Sequence, residues 1–282
     1  MYSAGLILEG GGMRAAYTAG VIDALIDNKL EFSSCYGVSS GACHGASYLS
    51  KQRGRAYRTM TDYMDDKRYY SYWNLLTKGD LLGPDMVFRI IPEQLDPFDY
   101  DEFNKYSGKF YCVATNCETG KAEYLHLKIM EEEIEMMHAS SALPILAKKV
   151  QLGENYYFDG GISDSIPIDR SIADGNTKNV LVLTQDAGYQ KNYDKSVPIL
   201  KMAYPKYPKM VEKVATRHIR YNEALKVVAK EEAAGRAFII RPKNPVHVSR
   251  TKFNKEKIAR LYDDGYHDSM EKMDDLIAFL EK

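Results

Sequence analysis

Two glycine-rich turns near the N-terminus constrain the fold of this chain. The first, residues 10–14 (Gly-Gly-Gly-Met-Arg), follows a short apolar run, and the second, residues 37–41 (Gly-Val-Ser-Ser-Gly), follows another. Each turn precedes a helical pattern, at residues 14–29 and 40–50. Two successive strand–turn–helix units predict an α/β fold with three layers (α/β/α) and a mostly parallel central sheet with right-handed crossovers.

The chemistry of the two turns is complementary. The first turn bunches backbone N–H groups at the start of a helix, where they favour negative charge. The second has the Gly-x-Ser-x-Gly spacing of a nucleophile elbow, in which Ser39 occupies a sharp strand-to-helix turn. An attacking hydroxyl beside donors for a developing oxyanion is what acyl transfer needs. The candidate oxyanion hole comprises Gly10, Gly11, Gly12, Met13 and Arg14, with the amides of Gly11, Gly12 and Met13 as donors.

In this order, and separated by one helix, the two turns resemble the patatin-like phospholipase family. That family also has a later Asp-Gly-Gly/Ala block, which Asp159-Gly160-Gly161 supplies here. The Ala-Ser-rich stretch at residues 139–144 is similar to one that precedes the aspartate in the family. This resemblance covers about residues 4–186, and residues 238–266 look like the tail of a subgroup of bacterial single-domain members.

The resemblance implies a catalytic pair and a reaction. It implies a patatin-like hydrolase in which Asp159 takes the proton of Ser39 with no histidine between them. Such a dyad requires the carboxylate within hydrogen-bond reach of the hydroxyl, and partial desolvation would make the carboxylate a better base. The reaction implied is hydrolysis of acyl lipid esters, phospholipid or lysophospholipid, through an acyl-enzyme. No cofactor and no metal is expected.

The residues alone leave other chemistries open. His247 and His267 follow Asp159 in the chain order of α/β hydrolases, so a Ser–His–Asp esterase or thioesterase on a soluble acyl substrate is one alternative. A non-catalytic lipid-binding regulator is another. Residues 10–15 also fit the loose dinucleotide fingerprint, but the second strand ends in residues 37–39 (Gly-Val-Ser) instead of the acidic residue that binds ribose. A nucleotide cofactor is therefore disfavoured.

Four side chains near the motifs have structural as well as functional interpretations. Arg14 either holds the shape of its turn or attracts a phosphate or fatty carboxylate. His44 follows Ser39 by five residues on a helix, which predicts a side chain that faces away from the serine. Asp164 is interpreted as a loop-stabilising group instead of a substitute base. Ser40 is interpreted as a cap of the following helix.

Composition excludes several classes of function. The chain has 38 Lys and Arg against 39 Asp and Glu, and this balance argues against a nucleic-acid binder. Its four cysteines lack zinc-ligand spacing and indicate free thiols in a reducing cytosol. The sequence has no uninterrupted apolar stretch near the roughly 18 residues of a membrane span. We therefore predict a cytoplasmic protein for which peripheral membrane contact stays open, as does its oligomeric state.

The length of 282 residues suits one large α/β domain, and no repeat or low-complexity linker divides it. Residues 51–106 mix basic and aromatic side chains and are interpreted as a helical insertion, with a lipid-headgroup role as the alternative. Residues 187–282 are interpreted as a C-terminal helical extension with a late strand. Residues 186–209, which contain three prolines, are predicted to form a mobile loop.

Three further strands are predicted between the insertion and the extension. Residues 109–116 and 122–127 pair across a turn at residues 118–120. Residues 156–158 form a short strand that delivers Asp159 at its C-terminal end, where open α/β sheets carry their active groups.

Overall fold

The structure, a computed structural model, describes residues 1–249, 251 and 253–282. Its centre is a mixed sheet to which the described residues contribute eight strands. The strands are β1 (Tyr2–Leu8), β2 (Phe32–Val38), β3 (Lys109–Asn116), β4 (Ala122–Leu127), β5 (Val150–Leu152), β6 (Asn155–Asp159), β7 (Asn179–Val182) and β8 (Ala237–Ile240). Their order is β5-β6-β3-β2-β1-β7-β8, and β4 pairs with β3 outside this path.

Five adjacent strands, β3-β2-β1-β7-β8, are parallel, whereas β4, β5 and β6 join antiparallel. The parallel strands are apolar and nearly continuously buried, as is typical of a sheet covered on both faces. The predicted α/β class with a mostly parallel central sheet is therefore confirmed.

Helices flank the sheet. They are α1 (Ala16–Asp27), α2 (Ser40–Leu49), α3 (Arg55–Thr61), α4 (Tyr72–Lys78), α5 (Tyr100–Asn104), α6 (Met130–Glu133), α7 (Glu135–Ser141), α8 (Ile168–Ala173), α9 (Val197–Ala203), α10 (Pro208–Ala215), α11 (Arg217–Ala233), α12 (Lys255–Glu271) and α13 (Met273–Glu281). A 3₁₀ turn over Gly12–Ala15 runs directly into α1, another covers Gly160–Ile162, and a π-helical segment covers Met86–Leu95.

Alternate residues of β1 define the two faces of the sheet. Leu6 and Leu8 pack into a core shared with α1, α2 and α12, whereas Ile7 packs into a core shared with α8 and α11. Because successive side chains of a strand point to opposite faces, this alternation places a helical layer on each side. Because helices cover both faces of the sheet, the glycine-rich turns lie at the ends of the parallel strands β1 and β2.

Two helices form where the sequence predicted a mobile loop. Residues 186–209 contain α9 and the start of α10, so the loop prediction was wrong. Pro198 and Pro208 lie in the first turns of these helices, where the missing N–H has no intrahelical acceptor to lose. The prolines begin helices here instead of interrupting one.

The basic residues of the 51–106 segment are largely ion-paired. Arg53 pairs with Asp27 at 2.8 Å, and Arg58 pairs with Asp96 at 2.9 Å. Arg55 is buried and donates to the Asp96 backbone carbonyl at 2.8 Å. Arg55 and Arg58 therefore stabilise the segment internally, and Arg53 joins it to α1.

Candidate active site

Ser39 lies at a strained turn between β2 and α2. Its φ of 56° and ψ of −128° are rare for any residue other than glycine. A Cβ at Gly37 would lie 2.4 Å from the Ala42 Cα, and one at Gly41 would lie 2.3 Å from the Leu8 carbonyl oxygen. The flanking glycines are therefore required by close backbone approach, and the local geometry is that of a nucleophile elbow.

Strand β3 brings the elbow and Asp159 together. Val38, the last residue of β2, pairs with Val113, and Asp159, the last residue of β6, pairs with Ala114. The other edge of β3 is taken by β4, which pairs along residues 110–115. A strand has only two edges, so β2 and β6 both pair with the edge of β3 that β4 leaves free. They lie end to end along that edge. Their last residues face consecutive residues of β3, about 3.3 Å apart along that strand.

Asp159 reaches this position on a strand of unexpected direction. Asp159 lies at the C-terminal end of its strand, as the sequence predicted, but β6 is antiparallel to β3 in a mostly parallel sheet. Pairing of β3 with β2 stops at Val113, whereas β3 continues to Asn116. Strand β6 pairs with this overhang and runs back towards β2. It ends at Asp159, beside the end of β2.

The C-terminal end of α7 is hydrogen-bonded to both residues. The Ser39 N–H donates to the Ser140 Oγ at 2.9 Å, and the Asp159 N–H donates to the Ala142 carbonyl at 2.8 Å. Ser140 is fully buried. The Ala-Ser-rich stretch therefore ties the elbow to the end of β6.

The Asp159 carboxylate is buried and accepts a backbone hydrogen bond. It is 2% exposed, and its Oδ1 accepts the Gly161 N–H at 2.7 Å. A Cβ at Gly161 would lie 3.0 Å from this oxygen and 2.7 Å from the Arg217 Nη2, so a guanidinium lies beside the carboxylate. No sequence pattern marks Arg217, which begins α11.

The first glycine-rich turn lies against the elbow. A Cβ at Gly10 would lie 2.7 Å from the Ser39 Cβ, and Gly12 has a φ of 56°. The Gly11 N–H donates to the Ser40 Oγ at 3.0 Å, so this amide, a predicted oxyanion donor, is already occupied. The amides of Gly12 and Met13 begin the helical turn, where intrahelical acceptors are lacking, and they have no acceptor within the described ranges.

Two hydrogen bonds to the buried Glu9, which precedes this turn, hold it in place. Glu9 accepts hydrogen bonds from the Thr184 N–H and the Tyr221 hydroxyl, both at 2.7 Å. Burial, together with the Glu9 carboxylate, raises the pKa of Tyr221, so its hydroxyl stays a donor. When the side-chain amide of Gln185 is oriented with its oxygen towards Arg14, that oxygen accepts a hydrogen bond from the Arg14 guanidinium. The contacts of Arg14 therefore favour its shape-holding interpretation.

Two cavities meet at Ser39. A small one of about 30 Å³ is lined by Ser39, Asp159 and the first turn. A larger one of about 210 Å³ extends beneath the 51–106 segment and is lined mainly by apolar side chains, among them Met60, Leu81, Val87, Ile91 and Leu146. Ser39, Gly12 and Leu143 line both. An extended apolar group and a reacting carbonyl therefore fit side by side.

Comparison with known proteins identifies the family. The family model described as patatin-like phospholipase matches residues 6–172 of the 282. The chain belongs to the patatin-like phospholipase family. This membership identifies it as a hydrolase. A second family model, described as a domain of unknown function (DUF6363), matches residues 207–281.

Two relatives and one solved structure illustrate the similarity. The uncharacterized protein YjjU of Escherichia coli (strain K12) is 25% identical over 259 residues, covering 86% of this chain and 69% of that protein. The probable lipid hydrolase 463L of Invertebrate iridescent virus 6 is 24% identical over 217 residues, covering 66% of this chain and 72% of that protein. The crystal structure of VipD from Legionella pneumophila aligns with a TM-score of 0.48 and 14% identity, covering 98% of this chain and 67% of VipD.

The histidines lie in different parts of this patatin-like chain. His247 lines a separate cavity with residues of α12, and neither Ser39 nor Asp159 lines that cavity. His267 lies on α12 with its ring against Tyr266. No hydrogen bond joins these histidines to Ser39 in the part of the chain that the structure describes.

His44 was predicted to face away from the serine, yet it lines the larger cavity together with Ser39. Its side chain is 4% exposed, and its Nδ1 has no hydrogen-bond partner among the described residues. Burial lowers the pKa of His44 to about 4, which keeps the imidazole neutral. His44 is a packed residue of the cavity wall.

Two polar residues near the site have local roles. Asp164 accepts the Tyr124 hydroxyl at 2.7 Å and the Ile166 N–H at 3.3 Å, as expected of a loop-stabilising group. Ser40 provides no cap for α2; its hydroxyl accepts from Gly11, so it joins the two glycine-rich turns. The capping interpretation of Ser40 was wrong because Ser40 is the first residue of α2 and Ser39 holds the N-cap position.

Proposed function

We propose that this protein is a serine acyl hydrolase that cleaves carboxylic esters of acyl lipids, with Ser39 as nucleophile and Asp159 as general base. The observation that carries the proposal is the pairing of Val38 and Asp159 with consecutive residues on one edge of β3. Family membership supports a lipid ester, and so does the name of the viral relative, a probable lipid hydrolase.

In the first step, the Ser39 Oγ attacks the ester carbonyl while Asp159 takes the hydroxyl proton. Negative charge develops on the carbonyl oxygen, and the unpaired amides of Gly12 and Met13 stabilise it. Each such donor is worth about 3 kcal/mol in other serine hydrolases. Gly10, Gly11 and Arg14 contribute by holding these amides against the elbow.

In the second step, the tetrahedral intermediate collapses. Its C–O bond to the alcohol breaks, and the alcohol leaves with the proton held by Asp159, so that an ester to Ser39 remains. A water molecule then gives a proton to Asp159 and attacks this ester. The acid departs, the proton returns to Ser39, and the enzyme is restored.

The larger cavity suits the acyl chain of the substrate. Its lining is mainly apolar, and it begins at Ser39, where the ester carbonyl must lie. Burial of an acyl chain there is favourable by the hydrophobic effect. We therefore assign the reaction to the phospholipase A or lysophospholipase class, with the acyl group beneath the 51–106 segment.

The alternatives from the sequence receive less support. A Ser–His–Asp triad through His247 or His267 would need that imidazole beside Ser39, whereas His247 lines another cavity and His267 lies on α12. A non-catalytic regulator would have no use for a non-glycine residue in a strained conformation, and such strain is typical of functional positions.

We also propose one domain over residues 1–282, with 51–106 as an insertion and 187–282 as an extension. Strand β8 belongs to the central sheet, and α12 packs on α1 through Gly20 and Gly265. No helix in the described ranges has both the length and the apolar character needed to cross a bilayer. A cytoplasmic location with peripheral membrane contact is kept as part of this proposal.

Turnover of p-nitrophenyl esters and phospholipids by the wild type, Ser39→Ala and the matched control Ser141→Ala tests the function. We expect Ser39→Ala to abolish hydrolysis of both substrate types and Ser141→Ala to retain most of it. Equal turnover by Ser39→Ala and the wild type would contradict the proposal, as would a wild type that hydrolyses neither substrate type.

A further inference from the structure

We propose that an apolar rim at the mouth of the larger cavity docks onto the surface of an anionic lipid bilayer. The apolar rim consists of Trp73, Leu76, Leu82, Ile145, Ile199 and Met202. This inference rests on the proposed function, because it names the source from which the site takes its acyl lipid.

The side chains of the rim are exposed to an unusual degree. Trp73 is 70% exposed, Leu76 80% and Met202 84%. Single exposed apolar residues are common on proteins, but clusters of them mark interaction sites. Here they come from two helices, α4 and α9, and from the loops that follow α4 and α7.

Hydrogen bonds join the segments that carry the rim. The Leu81 N–H donates to the Leu146 carbonyl at 2.8 Å, which joins the loop after α4 to the loop after α7. The Ile145 N–H donates to the Tyr204 hydroxyl at 2.9 Å, and Tyr204 follows the last residue of α9. The segments that carry the rim are therefore neighbours in the fold, and we infer that their exposed side chains form one surface.

The rim leads into the larger cavity. Leu82 is 40% exposed and also lines the cavity, as do its neighbour Leu81 and the loop residues Leu143 and Leu146. Leu143 lines the small cavity beside Ser39 as well. Apolar side chains therefore continue from the protein surface to the elbow, along the path that an acyl chain leaving a bilayer would follow.

One rim residue is held exposed by a strained backbone. Ile145 has a φ of 71°, which is an outlier for a β-branched side chain. Such strain persists only where the surrounding structure imposes it, and it clusters at functional positions. The bond to Tyr204 fixes this conformation and keeps an isoleucine 38% exposed.

The charge around the rim selects an anionic partner. The whole chain has a net charge of −1, but residues 69–85, 143–151 and 194–212 together contain seven lysines against four carboxylates, one of which is buried. The buried carboxylate, Asp80, accepts the Lys148 N–H at 2.8 Å. Exposed aromatic and aliphatic side chains flanked by lysines are typical of segments that bind anionic membranes.

A protein partner fits this surface less well. The centres of protein–protein interfaces are depleted in lysine, and a second copy of this chain would bring lysines against lysines. A bilayer with anionic headgroups offers both an apolar phase for the rim and negative charge for the lysines.

Sedimentation with vesicles tests the docking separately from catalysis. The Ser39→Ala chain is mixed with vesicles of phosphatidylcholine alone and of phosphatidylcholine with phosphatidylserine. We expect at least tenfold stronger binding to the anionic vesicles, reduced by high salt because surface charges are screened. Binding that is equal for the two vesicle types, or absent, would overturn the proposal.

Paired variants locate the surface. We expect Leu76→Ser combined with Met202→Ser to weaken anionic vesicle binding at least tenfold. The control pair Ile172→Ser and Met270→Ser alters exposed apolar residues outside the rim, on α8 and α12, and should leave binding unchanged. Equal effects of the two pairs would overturn the assignment, and so would a stable dimer that only the rim pair dissociates.

Activity assays distinguish failure of docking from failure of the proposed function. The rim pair should hydrolyse a soluble p-nitrophenyl ester at the wild-type rate but lose most activity on phospholipid in anionic vesicles. Loss of both activities to the same extent would overturn the docking role. A wild type that binds anionic vesicles but cleaves no ester would contradict the proposed function alone.

Discussion

The backbone amide of Ser39 donates a 2.9 Å hydrogen bond to the hydroxyl of Ser140. Two residues further along the chain, the Ala142 carbonyl accepts the Asp159 amide at 2.8 Å. The two proposed catalytic residues are therefore fixed by the same short segment, in addition to their shared edge of β3. A strained elbow needs such support, because its conformation is unfavourable by itself.

Replacement of Ser140 tests this support. Ser140→Ala leaves the buried Ser39 amide without its acceptor, which costs about 1–3 kcal/mol. We expect the free energy of unfolding in urea to fall by that amount and kcat for a soluble ester to fall with it. The control Ser141→Ala removes only a 3.7 Å contact with the Cys43 sulfur. Indistinguishable unfolding curves for the two variants would contradict the supporting role.

The contact between α1 and α12 tests the single-domain proposal. A Cβ at Gly265 would lie 2.1 Å from the Tyr17 carbonyl oxygen, so Gly265→Ala forces the two helices apart at a cost of about 1–3 kcal/mol. We expect a Tm several degrees lower, with secondary structure and esterase activity lost in one transition. Gly188→Ala, at an exposed turn, is the control. Two separated transitions would indicate that the C-terminal region folds by itself.

The buried His44 predicts a specific pH dependence of stability. Its pKa is lowered to about 4 in the folded protein, against about 6.5 in an unfolded chain. The unfolded state therefore binds more protons as the pH falls from 6.5 to 4, and folding loses about 3 kcal/mol over that window. We expect His44→Gln to reduce this loss, measured by urea unfolding at several pH values. The same pH dependence in both proteins would contradict the assignment.

The acyl-chain role of the larger cavity predicts a change in chain-length preference. Ala56 is buried and lines this cavity, so Ala56→Leu fills part of it. We expect turnover of p-nitrophenyl palmitate to fall at least tenfold relative to the butyrate ester in the same variant. The butyrate rate is the internal control for correct folding. An unchanged palmitate-to-butyrate ratio would place the acyl chain elsewhere.

Features set by local chain geometry were predictable from the sequence. The glycines around Ser39 are needed because neighbouring backbone lies within 2.4 Å of where their Cβ atoms would be. This requirement produces the Gly-x-Ser-x-Gly spacing, which is visible in the sequence. The same holds for β1 and α1, which an apolar run and a helical periodicity mark.

Features set by long-range pairing were not predictable. The antiparallel direction of β6 depends on the overhang of β3 beyond β2, and nothing within residues 155–159 encodes it. Arg217 reaches the site through the packing of α11, and the partners of Glu9, Thr184 and Tyr221, come from the loop after β7 and from α11, far away in the chain. The prolines near α9 and α10 were misread because the same residue ends one helix and begins another.

The identity of the base is the central claim, and the rates of Asp159→Asn and His247→Ala on a soluble p-nitrophenyl ester test it most directly. Asparagine retains the oxygen that accepts the Gly161 amide but cannot take a proton, so folding should be preserved. We predict that Asp159→Asn loses at least about 10²-fold in kcat, whereas His247→Ala retains the wild-type rate. An active Asp159→Asn variant beside an inactive His247→Ala variant would contradict the Ser39–Asp159 dyad.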